Sequence, residues 1–278
     1  MTYFEAVHKA QRCLEEHQVP DADTDALLLL QFVSGMSRAE YYRRMQDEMA
    51  EADRYLELAA LRARRIPLQQ LTGEQCFMGL PFLVTENVLI PRMDTETLVQ
   101  EALMRLEPGQ RVLDLCTGSG CILISLLKLM DGLSGTGTDA SEAALETARE
   151  NARRLGVSKD AEFVCCDLFS GAEGNYDMIV SNPPYIASGE IPGLMEEVRA
   201  HEPRMALDGG ADGLDFYRRI VPGAAERLRG GGWLLVEIGA EQARDVTLMF
   251  VDSCYEEVRT VRDLAGNDRV VLGRKRIV

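Results

Sequence analysis

The sequence predicts an α/β protein: an open, mostly parallel sheet of nucleotide-binding type, finished by an antiparallel pair and preceded by a small helical domain. Three observations carry this. Residues 1–72 repeat apolar side chains at helical spacing; a strand, a glycine-rich turn and a helix follow one another over 111–129; and two short strands flank the turn Ala265-Gly266-Asn267-Asp268. The expected division is a helical domain over 1–72, a β-hairpin linker over 73–92 and the sheet domain over 93–278. A chain of 278 residues is long enough for one large domain and a smaller one.

In the helical part, Ala6, Val7, Ala10, Cys13 and Leu14 lie on one helical stripe. Pro20 breaks it, and Asp21, Asp23 or Thr24 is placed to cap a second helix through Leu27–Leu30. Gly35 ends that helix and Ser37 is placed to cap a third. Ala52, Tyr55, Leu56, Ala59 and Ala63 form another stripe before Pro67. Between Gly73 and Ile90 short apolar pieces alternate with turn residues, which predicts a hairpin. Asp94 is a candidate N-cap for a helix whose apolar face is Leu98, Val99, Ala102, Leu103 and Leu106. Arg92 and Glu96, just before the sheet domain, form either a surface pair or a closure over a bound ligand.

Arg111–Leu115 is a short strand, followed by Asp114-Leu115-Cys116-Thr117-Gly118-Ser119-Gly120 and a helix over Cys121–Leu129. Glycines in such a turn let a ligand approach the backbone. Asp139 ends a second strand before a helix over Ser141–Leu155, where an acidic residue suits ribose hydroxyls. Cys165-Cys166-Asp167 ends a third strand. The two cysteines are expected to fill core, and Asp167 to reach an adenine amino group. Carboxylates at 114, 139 and 167, on successive strand ends, outline a nucleoside pocket with no phosphate to cradle. Further on, Glu196–Arg199 and Asp208–Gly213 are polar and glycine-dense, as expected of loops beside a site. A helix over Leu214–Leu228, a strand over Trp233–Ile238, a helix over Glu241–Phe250 and strands around Glu257–Val261 and Arg269–Leu272 complete the order.

The chemistry is concentrated in Asn182-Pro183-Pro184-Tyr185. The apolar run Met178–Val180 predicts a buried strand, and the two prolines forbid helix and further ladder pairing. The chain therefore leaves the sheet as a stiff loop at a strand's carboxyl end, where open α/β sheets bind ligands. The Asn182 side-chain carbonyl and the Pro183 carbonyl are candidate acceptors for two N–H groups of a planar amide or amine. Tyr185 offers a flat face to stack on it.

Composition narrows the function. A net charge of −15 argues against direct nucleic-acid binding, whose affinity rests on basic contacts to phosphate. The longest early apolar run, Ala26–Val33, is too short to span a bilayer, and the start lacks the order of a secretion signal. Seven cysteines without a C-x-x-C pair suit reduced thiols in a cytoplasm. Three scattered histidines give no metal-ligand spacing, so no metal is expected.

Nearly the whole chain resembles the protein-(glutamine-N5) methyltransferases that modify peptide-chain release factors. The carrying segments are Leu89–Glu96, the Asp114–Gly120 loop, Ser181–Ile186, Glu197–Pro203 and Asp208–Leu214. NPPY alone is shared with enzymes that methylate exocyclic amines of nucleic-acid bases, the rival function. The resemblance implies a class I methyltransferase sheet of Rossmann-like order, S-adenosylmethionine as methyl donor and S-adenosylhomocysteine as product. It also implies in-line transfer to the glutamine of a release factor's Gly-Gly-Gln motif. A cytoplasmic monomer is expected, and residues 1–72 are read as a domain that selects the protein substrate, against the alternative of a bundle that only packs on itself or the next domain. Asn182, Pro183, Pro184 and Tyr185 would hold the glutamine. Cys116, Thr117, Gly118, Ser119, Gly120, Asp139, Asp167, Leu168, Asn182, Arg92 and Glu96 would surround the cofactor. The chain departs from the family pattern at Cys116, usually glycine, and at Met93, usually proline.

Overall fold

The computed structural model describes residues 1–277. The chain forms two compact units, one of Met1–Glu74 together with Met195–His201, the other of Gln75–Leu194 with the chain from Glu202 on.

The first unit is helical: α1 (Tyr3–Glu16), α2 (Ala22–Ser34), α3 (Arg38–Arg44), α4 (Ala52–Ala63) and α5 (Leu68–Thr72). Its core holds Leu14, Leu29, Leu30 and Tyr55, all essentially inaccessible to solvent. The stripes seen in the sequence meet here because residues three and four apart share a helix face. A reciprocal cap starts α1: Glu5 N–H donates to Thr2 Oγ1 at 3.2 Å and Thr2 N–H to Glu5 Oε2 at 2.9 Å. Ser37 and Glu40 repeat it on α3. Asp21 precedes α2 at a left-handed φ of 55° and makes no side-chain cap. Glu196–Arg199, expected as loop, lies in a short helix of this unit (Glu196–His201). Glu197 sits between Arg62 at 3.0 Å and Arg65, and Arg62 also meets Asp25 at 2.6 Å. These charges are buried, and they persist there because each is paired.

The second unit begins with a hairpin, β1 (Glu74–Phe77) and β2 (Leu80–Leu83), and a helix, α6 (Glu96–Leu103). It continues β3 (Arg111–Leu115), α7 (Cys121–Leu129), β4 (Ser134–Asp139), α8 (Glu142–Leu155), β5 (Ala161–Cys165) and β6 (Tyr176–Ser181). After the short helix of the first unit, α9, come α10 (Asp215–Arg227), β7 (Leu228–Glu237), α11 (Ala243–Asp252), β8 (Tyr255–Arg262) and β9 (Asp268–Lys275). The sheet order is β5-β4-β3-β6-β7-β9-β8, parallel except for β9, which runs antiparallel to β7 and β8. From β3 the chain builds outward to β5, then returns to lay β6 on the other side of β3. The switch point, where such sheets bind ligands, lies between β3 and β6.

Side chains alternate across the sheet. Val112, Met178, Val180, Leu235 and Leu272 face α6 and α7, while Leu113, Leu115, Ile179, Leu234 and Val236 face α10 and α11. Both faces are covered, so the central positions of these strands are apolar on both sides of the sheet. Two expectations change. Cys165 is exposed and Cys166 only half-buried, because β5 is the last strand on its side and has no neighbour to bury its outer positions. Asp94 caps no helix: it lies in a single 3₁₀ turn, Met93–Thr95, and pairs with Arg269 at 3.3 Å. On the opposite edge, β8 shifts register against β9 between Glu256 and Arg259 and again between Val261 and Arg262.

Candidate active site

Strand register brings four residues into one row. Leu115 pairs with Thr138 and with Ser181, and Ser181 with Val236. One step beyond each lie Cys116, Asp139, Asn182 and Glu237, at the carboxyl edge beside the switch point.

The β3–α7 turn is bent by left-handed residues: Cys116 at φ 57°, Gly118 at 55° and Gly120 at 79°. A side chain at Gly120 would meet Ile124 Cδ1 at 2.7 Å, whereas one at Gly118 would meet nothing within 4 Å. Gly120 thus allows helix packing and Gly118 leaves its backbone open. Cys116 holds a conformation that disfavours a β-carbon, which is why glycine suits the position. Beneath the turn Asp114 is fully buried. Its Oδ2 accepts from Thr117 Oγ1 at 2.6 Å and Leu123 N–H at 3.3 Å, and burial pushes its carboxyl up to about 7. Asp139 is fixed from both sides: Oδ2 accepts from Gly118 N–H and Oδ1 from Ser141 N–H, each at 2.9 Å. Burial raises its pKa above the ordinary value, against those hydrogen bonds.

On the other side of the row, Ser181 Oγ donates to the Leu115 carbonyl at 2.8 Å and ties β6 to β3. Asn182 Nδ2 donates to Thr95 Oγ1 at 3.2 Å. Among the described residues none donates to Asn182 Oδ1 or to the Pro183 carbonyl. Behind the loop, Tyr185 OH donates to Glu237 Oε1 at 3.3 Å, and Gln242 Nε2 donates to the Tyr185 carbonyl at 2.9 Å. Gly209 and Gly213 press on the same backbone. A side chain at Gly213 would come within 2.3 Å of the Tyr185 carbonyl oxygen, and one at Gly209 within 2.8 Å of that of Pro184.

A cavity opens over this edge. Cys116, Gly118, Asp139, Asn182 and Pro184 line it, with Val88, Ser141, Ala144, Pro203 and Phe216 among the residues completing the wall. Among the described residues no lysine, arginine or histidine lines it. Other residues expected at the site stand elsewhere. Thr117 serves Asp114, Ser119 is buried with its carbonyl taken by Asn151 at 3.0 Å, and Leu168 is buried at φ 51°. Asp167 lies two residues past β5, largely exposed, and pairs with Arg219 at 2.6 Å. Arg92 pairs with Glu202, whereas Glu96 accepts from Met78 N–H at 2.7 Å, so the two do not meet. Met93 is exposed. Sequence reasoning passed over Thr95, Glu237 and Gln242. Glu237 had a signal, a carboxylate ending the apolar run Trp233-Leu234-Leu235-Val236 at a strand's carboxyl end.

Fold and crevice together define a class I methyltransferase, the class that uses S-adenosylmethionine. Of solved structures, the catalytic domain of hMettl16 bound to the MAT2A 3'UTR hairpin 6 aligns with a TM-score of 0.58 at 18% identity, covering 80% of this chain and 82% of that one. A Pyrococcus furiosus methyltransferase aligns at 0.55 and 18%, covering 72% and 91%. At such identities these show the fold. The Methyltransferase small domain matches residues 91–211 and the PrmC N-terminal domain residues 5–73. The release factor glutamine methyltransferase of Bradyrhizobium diazoefficiens is 43% identical over 272 residues, 94% of this chain and 91% of that protein. That of Moorella thermoacetica is 41% identical over 282 residues, 99% of each. The chain belongs to the release factor glutamine methyltransferase family.

The residues present fit the cofactor. S-Adenosylmethionine has no phosphate and carries a cationic sulfonium and ammonium, and the cavity has a carboxylate and no basic side chain. Gly118 leaves open space where a side chain would intrude, and Asp139 presents a carboxylate fixed by backbone donors, suited to a ribose diol.

Proposed function

We propose that this chain transfers a methyl group to the side-chain amide nitrogen of a glutamine, that of the Gly-Gly-Gln motif of peptide-chain release factors. One observation carries the amide assignment: Thr95 takes the Asn182 amide nitrogen, so Asn182 Oδ1 stays free beside the equally free Pro183 carbonyl. A primary amide has two N–H groups, and two fixed acceptors hold both. An amide nitrogen is a poor nucleophile because its lone pair is delocalised into the carbonyl. Acceptors on both N–H groups push electron density back onto nitrogen and fix its direction of attack. Orientation of that kind supplies several kcal/mol of rate enhancement. Pro183 and Pro184 keep the acceptors in place by stiffening the loop, and Gly209, Gly213 and Gln242 brace it from behind.

When bound, S-adenosylmethionine would supply an electrophilic methyl group for in-line transfer to the amide nitrogen, with the thioether of S-adenosylhomocysteine as the leaving group. Asp139 and the Gly118 backbone would hold its nucleoside. The N-methylated amide is strongly acidic before it loses its proton, so that step needs no dedicated base. Full-length names of relatives at about two-fifths identity support the release-factor substrate.

The test is mass spectrometry of a release factor incubated with the purified protein and S-adenosylmethionine. A single methyl gain on the Gly-Gly-Gln glutamine is expected, and none on a factor with asparagine in its place. Methylation of RNA or DNA oligonucleotides instead would overturn the assignment.

A further inference from the structure

Glu237 is 1% exposed, at the end of β7, and is not accounted for by cofactor or substrate binding. Its neighbours single it out. Tyr185 OH donates to Oε1 at 3.3 Å, and the Thr95 hydroxyl borders the same carboxyl and favours its charged form. Thr95 is 2% exposed and is the residue that receives Asn182 Nδ2 at 3.2 Å. Oε2 of Glu237 is buried without a hydrogen-bond partner in the structure. A buried carboxylate flanked by two hydroxyls on the substrate loop's own supports is costly to keep unless it organises them.

We propose that Glu237 is a positioning residue: as the carboxylate it draws the hydroxyl hydrogens of Thr95 and Tyr185 toward itself and thereby sets the orientation of Asn182. With its hydrogen committed to Glu237, the Thr95 oxygen can only accept from the Asn182 side chain. That side chain must then turn its NH₂ to Thr95 and its Oδ1 to the substrate. If Glu237 carries a proton, or an amide replaces it, Thr95 is free to donate instead. Asn182 can then rotate by half a turn and turn its NH₂, a donor, toward the N–H groups of the substrate amide, which need an acceptor.

Charge around Glu237 fits this. Burial pushes its carboxyl up to about 7, opposed by Thr95, by the Arg269 guanidinium and by Tyr185, while Asp94 raises it. Cys121 and Tyr217 also face it, Tyr217 OH donating to its backbone carbonyl at 2.7 Å. Glu237 therefore changes charge near neutrality, and the loop's competence changes with it.

This inference rests on the proposed amide transfer, and the experiment separates the two. Wild type and Glu237→Gln are assayed on a release factor with S-adenosylmethionine across pH 6–9, with cofactor affinity measured by calorimetry. Wild-type kcat should rise as pH passes about 7, where Glu237 ionises. Glu237→Gln should lower kcat about tenfold or more, as for lost transition-state alignment. It should leave KM and cofactor affinity within about twofold and remove the step in the pH profile. Thr95→Val should repeat the kcat loss, and Thr95→Ser, which keeps the hydroxyl, should recover most of it. A Glu237→Gln enzyme with wild-type kcat and an unchanged pH profile overturns the role. Should that variant fail to fold, equal rates for Thr95→Val and Thr95→Ser overturn it instead. A wild-type enzyme that leaves glutamine unmodified would refute the amide transfer itself.

Discussion

The backbone N–H of Gly118 donates to Asp139 Oδ2 at 2.9 Å, linking the glycine turn after β3 to the end of β4. With Ser141 N–H on Oδ1 as well, the carboxylate is fixed at both oxygens and still has lone pairs left for a ligand. Asp139→Ala removes both. Hydrogen bonds to a charged group contribute about 1.5–3 kcal/mol, so S-adenosylmethionine affinity should fall at least about tenfold. Calorimetry on the folded variant checks this, and an unchanged Kd would take Asp139 out of the cofactor site.

Asn182→Ala deletes one proposed amide acceptor and keeps both prolines. Loss of a transition-state hydrogen-bonding group costs about a hundredfold or more in kcat. Cofactor affinity should shift far less. Single-turnover rates at saturating release factor decide it: a near-wild-type rate is incompatible with Asn182 gripping the amide.

Gly213→Ala tests the bracing of the loop. Its β-carbon would sit 2.3 Å from the Tyr185 carbonyl oxygen, on a backbone at φ 74°. Overpacking costs roughly 1–3 kcal/mol, and about 2–4 °C in Tm accompanies each kcal/mol in a domain of this size. Scanning calorimetry should show that drop together with a lower kcat. A stable variant of normal activity would mean that the 209–214 turn does not position the loop.

Asp114 and Glu237 are both raised by burial to about 7, from ordinary values of 3.8 and 4.5. Between the two limits the folded state binds more protons than the unfolded one, so stability falls as pH rises. Their favourable contribution is complete below the unfolded values and is lost as pH climbs through about 7. Tm should decline from pH 5 to 7.5, and Asp114→Asn with Glu237→Gln should flatten the decline. An equally steep slope in the double variant would show that other groups set it.

The helical unit is proposed to select the protein substrate, because a lone glutamine offers too little surface to distinguish proteins. Leu28 and Phe32 are 43% and 41% exposed, four residues apart on one face of α2. Replacing both by aspartate should raise KM for an intact release factor about tenfold. Activity on a short Gly-Gly-Gln peptide should not change. Unaltered KM for the intact factor would exclude this face.

What the sequence disclosed was what is local. Helix α7 spans Cys121–Leu129 as expected, since a glycine turn followed by an unbroken apolar run leaves one solution. Asp139 and Asn182 were legible as strand-end positions, Asp139 closing β4 just ahead of the cap of α8 and Asn182 following β6 where two prolines end the pairing. Contacts that depend on strand order were not. Nothing within a few residues of Asp94 announces Arg269, and without the β6–β7 pairing Glu237 has no relation to Asn182. The partner of Asp167 was hidden for a similar reason: two residues past the strand, its side chain pairs with Arg219, 52 positions further along the chain. Cys165 and Cys166, at the end of β5 and just past it, looked like core only because nothing local says that β5 is outermost.

The broken register of β8 bears on how the protein behaves when crowded. An outermost strand with a straight row of free amides invites another chain to dock and polymerise. Here the row is interrupted twice, Glu257 adopts a left-handed φ of 53°, and Glu257, Arg259 and Arg262 point charge into solvent. At the far side β5 is only five residues long, with Glu162 exposed. Neither flank offers a flat, apolar template, so the sheet resists growth into aggregates while the apolar rows of its interior strands stay covered by helices.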